Sequence, residues 1–172
     1  MAAPAENLVN AQLEQWISNF DKALSSKDIP GVVALFDDDC YWRDFLTFTW
    51  NLDTSEGPEA IQAMLTSTLS STQPSNWQLE GDASSADGIT EGWITFDTAT
   101  SRGRGHVRIK GDKCWTLLTT MLELKGFEEK NDKHGTREMG VEHGSFRVVK
   151  TGLKTKNRKR RSSAMTCSRI VW

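Results

Sequence analysis

Cys40-Tyr-Trp-Arg-Asp-Phe-Leu-Thr-Phe-Thr-Trp50 is the stretch on which the reading of this chain turns. It holds Tyr41, Trp42, Phe45, Phe48 and Trp50 within eleven positions and sets the charged pair Arg43 and Asp44 among them. Large aromatic side chains bury roughly 150–250 Å² each and dominate a core. A charged pair in that company is either a paired structural bridge or part of a site. The aromatic and β-branched content predicts mainly extended backbone. On a strand, Tyr41, Arg43 and Phe45 face one side, and Trp42, Asp44 and Leu46 the other.

Upstream, Val9, Leu13, Trp16, Ile17, Phe20 and Leu24 recur at helical spacing and predict an amphipathic first helix. Asp28 as N-cap and Pro30 in the first turn open a short second helix carrying Val32, Val33, Leu35 and Phe36. Asp37-Asp38-Asp39 opposes the dipole at that helix's end and reads as a loop. Downstream, 51–57 reads as a turn, and Pro58 starts a third helix burying Ile61, Met64, Leu65 and Leu69. The period then changes to two. Short strands are predicted at 77–80, 92–100 and 106–110, with Arg102-Gly-Arg-Gly105 as a turn and Gly111-Asp112 as a hairpin. Residues 114–124, apolar on both faces, predict a central, covered strand.

At 172 residues one domain is expected. No run approaches the ~18–20 apolar residues of a membrane span. Nor does the N-terminus show a basic segment followed by an apolar one, as a secretory signal would. Cys40, Cys114 and Cys167 lie far apart, which argues against a disulfide framework or zinc site and for a reducing compartment; cytoplasm is the expected location. The net charge of −2 conceals a split: residues 145–172 carry nine bases and no acid, so an acidic body precedes a basic tail.

Helices with an interposed strand followed by an antiparallel meander define an α+β class. The order resembles the nuclear transport factor 2-like (SnoaL-like) fold, a cone of N-terminal helices packed in a curved, mainly antiparallel sheet. Trp42-Arg43-Asp44, Phe48-Thr49-Trp50, Gly57-Pro-Glu-Ala-Ile61, Trp115-Thr-Leu-Leu118, Glu123-Leu-Lys-Gly-Phe-Glu128 and Gly140-Val-Glu-His-Gly144 sharpen it. Together these motifs resemble the N-terminal domain of fungal and bacterial flavin-containing monooxygenase-like proteins, in which such a domain precedes a flavin- and NADPH-binding region. The resemblance implies FAD and NADPH only for a full-length relative. This chain has no GxGxxG after a strand, so no cofactor is expected in it, and no element carries two His and a carboxylate at ligand spacing, so no metal is expected either.

The expected organisation is a disordered N-terminus at 1–6, the cone at 7–127, a linker at 128–144 and a basic, disordered tail at 145–172. Read one frame over from Thr151, permitted codons give an acidic, tryptophan-led linker like that family's, with Arg158-Lys-Arg-Arg161 becoming glutamates. The tail is then a frame-shifted or mis-spliced remnant. Sequencing the transcript across Gly144 tests this hypothesis, which an uninterrupted frame with no downstream GxGxxG coding would contradict. By composition the tail also fits nuclear localisation or nucleic-acid binding, but it lacks an aromatic platform, and nucleic acid is not expected as a partner.

Candidate site residues follow from the same stretch. Asp44, walled by tryptophans, is either a surface-bridged structural residue or a general base entering the cone, as an Asp does in SnoaL-like cyclases. His106 is a second catalytic candidate, with a structural role the ordinary alternative; His134 and His143 rank below it. Tyr41, Trp42, Arg43, Phe48, Trp50, Trp93 and Trp115 are expected pocket wall or core. Cys40 and Cys114 read as small core residues, and Glu123 as either the open end of the cone or an exposed strand end. Three functions stay open. One is a truncated accessory domain, not catalytic alone, holding a small apolar ligand or packing against a missing domain. The others are a freestanding isomerase, cyclase or dehydratase, and a module that dimerises through its sheet.

Overall fold

The computed structural model describes residues 4–128; the expectations for 129–172, with His134, His143 and Cys167, fall outside them. Helix α1 (Pro4–Ser25) buries Leu13, Trp16, Ile17, Phe20 and Leu24 along one face, the stripe its sequence period requires. It begins inside the 1–6 stretch expected to precede it, because proline suits a first turn whose N–H would have no acceptor. Helix α2 (Ile29–Val33) is capped by Asp28, which accepts the Gly31 N–H at 3.0 Å. Helix α3 (Gly57–Thr72) buries Ile61, Met64, Leu65 and Leu69. No helix among the described residues is long and apolar enough to cross a membrane.

Six strands complete the domain: β1 (Phe36–Phe45), β2 (Leu52–Glu56), β3 (Ser75–Ala86), β4 (Ile89–Asp97), β5 (Ser101–Lys110) and β6 (Lys113–Leu124). They form one sheet in the order β2-β1-β6-β5-β4-β3. β1 runs parallel to β6, and every other pair is antiparallel. β6 therefore takes the central place its two apolar faces predicted.

One face of the sheet closes on the helices through a continuous aromatic cluster. Trp16 stacks on Phe20 at 4.8 Å between centroids, and Phe20 meets Trp77 at 5.0 Å; Trp77 stacks on Phe96 at 4.1 Å. In the same cluster Phe36 stacks on Trp42 at 5.8 Å, and Trp42 meets Phe48 edge-on at 5.0 Å. At roughly 25 cal/mol per Å² and 150–250 Å² per ring, each contributes on the order of 4–6 kcal/mol of gross burial. These rings fill the inner side of the sheet with side chains.

The structure corrects several sequence expectations. The extended segment ends at Phe45, and 46–51 curls into a loop. The segment 51–57, expected as a turn, contains β2, a short edge strand whose Leu-Asp-Thr-Ser-Glu buries only the small polar Ser55 and so gives little hydrophobic alternation. Asp37–Asp39 lies inside β1, but at a register break: Phe36 faces Cys114 while Tyr41 faces Thr116, so the acidic triplet is left outside the ladder. Arg102-Gly-Arg-Gly105 is not a turn but the first half of β5. Its glycines serve packing: a Cβ on Gly103 would enter the Phe96 ring, and one on Gly105 would stand 2.5 Å from the Leu118 carbonyl oxygen. The turn is made upstream, where Thr98 N–H donates to the Ser101 carbonyl at 2.8 Å. β3 also extends well past the expected Glu80.

Candidate functional site

Asp44 points inward from β1 and is 2% exposed. Its Oδ2 accepts the backbone N–H groups of Phe48 at 2.9 Å and Thr49 at 2.8 Å, and the Thr49 hydroxyl at 2.9 Å. Its Oδ1 accepts the Thr119 hydroxyl at 2.8 Å, and Thr119 Oγ1 in turn accepts the Trp42 indole N–H at 3.0 Å. The carboxylate is thus the anchor of the loop that follows it. That loop needs an anchor, since Leu46 and Trp50 hold φ of 67° and 55°. Left-handed backbone at bulky residues costs on the order of 1–3 kcal/mol each and persists only when its surroundings over-determine it.

Strand register maps the opposite face of the sheet. One row crosses all six strands as Thr54, Arg43, Leu118, His106, Trp93 and Glu80. The next runs Glu56, Tyr41, Thr116, Arg108 and Glu91. Between β2 and β5 these rows enclose a groove of about 420 Å³ lined by Tyr41, Arg43, Thr54, Glu56, His106, Thr116, Leu117 and Leu118. Arg43 Nε donates to Thr54 Oγ1 at 3.1 Å, which fixes the guanidinium at one end. His106 packs against Trp93 with ring centroids 4.7 Å apart. Burial pushes the His106 pKa down; Glu91 opposes that shift, and Arg108 and Arg104 add to it, which favours the neutral imidazole. The Tyr41 phenol is held protonated by its hydrogen bond to Asp39 and by that carboxylate's charge.

The rest of this face is organised by cation–π and ion pairs. Arg104 lies over the Trp93 ring at 4.1 Å and pairs with Glu80 at 2.6 Å. Arg108 and Lys110 flank the Trp115 ring at 4.8 and 3.8 Å. Arg108 Nε lies 3.0 Å from Glu91 Oε2 without an aligned hydrogen bond. Trp115 is the extra residue of a register break between Arg108 facing Thr116 and Ile109 facing Cys114. The bulge separates it from inward-facing Leu117.

The sequence candidates therefore divide between two faces. Asp44, Trp42 and Phe48 lie inside, the rings in the core and Asp44 in the loop anchor; Tyr41, Arg43, His106, Trp93 and Trp115 lie outside. Trp50 is 59% exposed on the loop. Asp44 and His106 are not brought together: Asp44 faces Thr119, and His106 faces Leu118, on opposite sides of the sheet. Glu123 sits on the exterior, 2.6 Å from Arg102. Cys114 is buried, and burial raises its thiol pKa well above the usual range. Thr54, Glu56, Thr116 and Leu118 of the groove, and Thr119 of the anchor, were not singled out from the sequence. Strand parity carried a signal only for β5, where Val107 and Ile109 alternate with Arg104, His106, Arg108 and Lys110.

Among the described residues, the Arg102-Gly-Arg-Gly105 segment does not form the phosphate loop of a flavin or NADPH site. Such a site needs a glycine turn between a strand and a helix N-terminus, and Gly103 and Gly105 are instead strand-interior positions facing the core. Among the described residues no three His, Cys, Asp or Glu side chains gather to hold a metal.

No family model and no curated protein matches the sequence. Solved structures do match. A ketosteroid isomerase-like protein from Erwinia carotovora aligns with a TM-score of 0.54 at 12% identity, over 68% of this chain and 98% of that one. A domain of unknown function with a cystatin-like fold from Nostoc punctiforme gives 0.54 at 11% identity, over 71% and 80%. An NTF2-like protein of unknown function from Pseudomonas putida gives 0.52 at 14% identity, over 79% and 97%. At such identities the likeness is one of fold, and the fold of this chain is NTF2-like, α+β with helices packed against a curved six-stranded sheet.

Proposed function

We propose that this chain is a small-ligand-binding accessory domain with no turnover of its own. The carrying observation is the groove of about 420 Å³ on the outer sheet face, within the roughly 300–1,000 Å³ of small-molecule sites. The inner face, in contrast, is filled by stacked rings, and Asp44, the one buried carboxylate among the described residues, is committed to the loop. An acid–base pair made of Asp44 and His106 would have to act through the sheet, which disfavours a freestanding isomerase, cyclase or dehydratase using both. Association with a flavin monooxygenase-like protein rests on the sequence motifs around Trp42 and Trp50; redox chemistry would then belong to residues outside this chain.

N-phenyl-1-naphthylamine, a neutral apolar fluorophore, tests the groove directly. Saturable one-to-one binding that is lost on Leu118→Glu supports the reading; absence of binding, or binding indifferent to that substitution, contradicts it. Adding FAD before gel filtration tests the accessory assignment, and flavin absorbance travelling with the protein would refute it. A second reading, pairing of this face with another copy, is favoured by the exposure of Tyr41, Trp93 and Leu122. Equilibrium sedimentation decides it: a dimer dispersed by Trp93→Asp is required.

A further inference from the structure

We propose that the outer-face groove selects an amphipathic organic anion, with Arg43 receiving its carboxylate or sulfonate. This rests on the groove being the binding site. Arg102, Arg104 and Arg108 of β5, which β6 separates from β1, are each paired with an acid, Glu123, Glu80 and Glu91 respectively. Arg43 differs. Among the described residues no carboxylate lies within ion-pair distance of it, and its one side-chain bond goes from Nε to the neutral Thr54 hydroxyl. That bond orients the guanidinium and leaves its terminal nitrogens free, the arrangement that suits bidentate recognition of a planar anion.

Glu56 shares the groove and likewise has no basic partner among the described residues. It belongs to the row of Tyr41, one row along from Arg43. Rows on one face are two residues apart, about 7 Å at the rise of a strand. The two opposite charges thus mark separate ends of one groove without neutralising each other. Between them the floor is Leu118 and Thr116, and His106, backed by Trp93, forms the far wall. A fitting ligand has a flat apolar body, one anionic group at the Arg43 end and a hydroxyl or amine donor toward Glu56. A polyanion does not fit, because a single unpaired cation faces the groove while Glu56 repels further negative charge.

Two fluorophores with the same ring skeleton separate this inference from the reading beneath it: neutral N-phenyl-1-naphthylamine and its sulfonate, 8-anilino-1-naphthalenesulfonate. On the intact chain at low salt the sulfonate is expected to bind about tenfold tighter, the worth of one partly exposed charge-assisted contact. Arg43→Gln should remove that preference and leave the neutral probe unchanged; a unaltered urea midpoint checks that the variant is folded. If both probes bind the native chain equally, or the preference survives Arg43→Gln, anion selection through Arg43 is wrong and the groove reading stands. If neither probe binds, both fall.

Discussion

Replacing Asp44 separates a loop anchor from a catalytic carboxylate. In Asp44→Ala four donors lose their acceptor: the Phe48 and Thr49 N–H groups and the Thr49 and Thr119 hydroxyls. Thr49 is half-buried and can turn to water, which leaves Phe48 N–H and the fully buried Thr119 hydroxyl unsatisfied. At roughly 1–3 kcal/mol for each buried orphan, the expected loss is about 4 kcal/mol, a large part of the 5–15 kcal/mol typical of a domain. Asp44→Asn should cost less. Its oxygen can keep the three contacts at Oδ2, while its amide donates to Thr119 Oγ1 and leaves the Thr119 O–H as the single buried orphan. The expected loss is then about 2 kcal/mol. Urea unfolding followed by tryptophan fluorescence measures both, with the slope checked for constancy. A loss below about 1 kcal/mol for Asp44→Ala would refute the anchor. So would an Asp44→Asn variant as unstable as Asp44→Ala, since isosteric replacement would then have failed to hold the loop.

Other consequences follow from the two faces of the sheet. Gly105→Ala should destabilise by about 2–3 kcal/mol, because the new methyl meets the Leu118 carbonyl, which cannot retreat without opening the β5–β6 ladder; a change under about 0.5 kcal/mol in the urea midpoint analysis would show that the ladder gives way easily. Burial lowers the pKa of His106 in the folded state from the ordinary histidine value of about 6.5. The unfolded chain therefore binds more protons just below that value. The stabilising contribution is complete above about pH 6.5 and lost as pH falls through the unfolded pKa toward the folded one. His106→Gln should flatten this limb of the stability–pH curve; an unchanged limb would contradict the assignment to His106.

Much of this architecture is written locally. Leu13, Trp16, Ile17, Phe20 and Leu24 mark a helix face that buries as its period requires, and Ile94 and Phe96 alternate inward as a strand should. What was not legible depends on distant partners. Arg102-Gly-Arg-Gly105 has the composition of a turn, but its glycines make room for Phe96, Ile94 and the β6 backbone, which no local rule reveals. Trp115 looks like pocket wall until a one-residue bulge separates it from Leu117. Asp44 was visible as an unusual carboxylate; that its acceptors would be spent on Phe48, Thr49 and Thr119 depends on the loop it holds and on a strand 75 positions away. His106 could have been placed outside from parity alone, by counting from Val107.

A ligand could meet either face of the sheet, and the tryptophan indole N–H groups report on both. Trp42 and Trp77 lie in the inner cluster, and Trp93 backs the groove on the outer one. Two-dimensional proton–nitrogen NMR during a titration with N-phenyl-1-naphthylamine reads them at once. The account predicts that the Trp93 indole signal moves with saturation while those of Trp42 and Trp77 stay fixed. Movement of Trp42 and Trp77 with a stationary Trp93 would place the ligand inside the cone and contradict it.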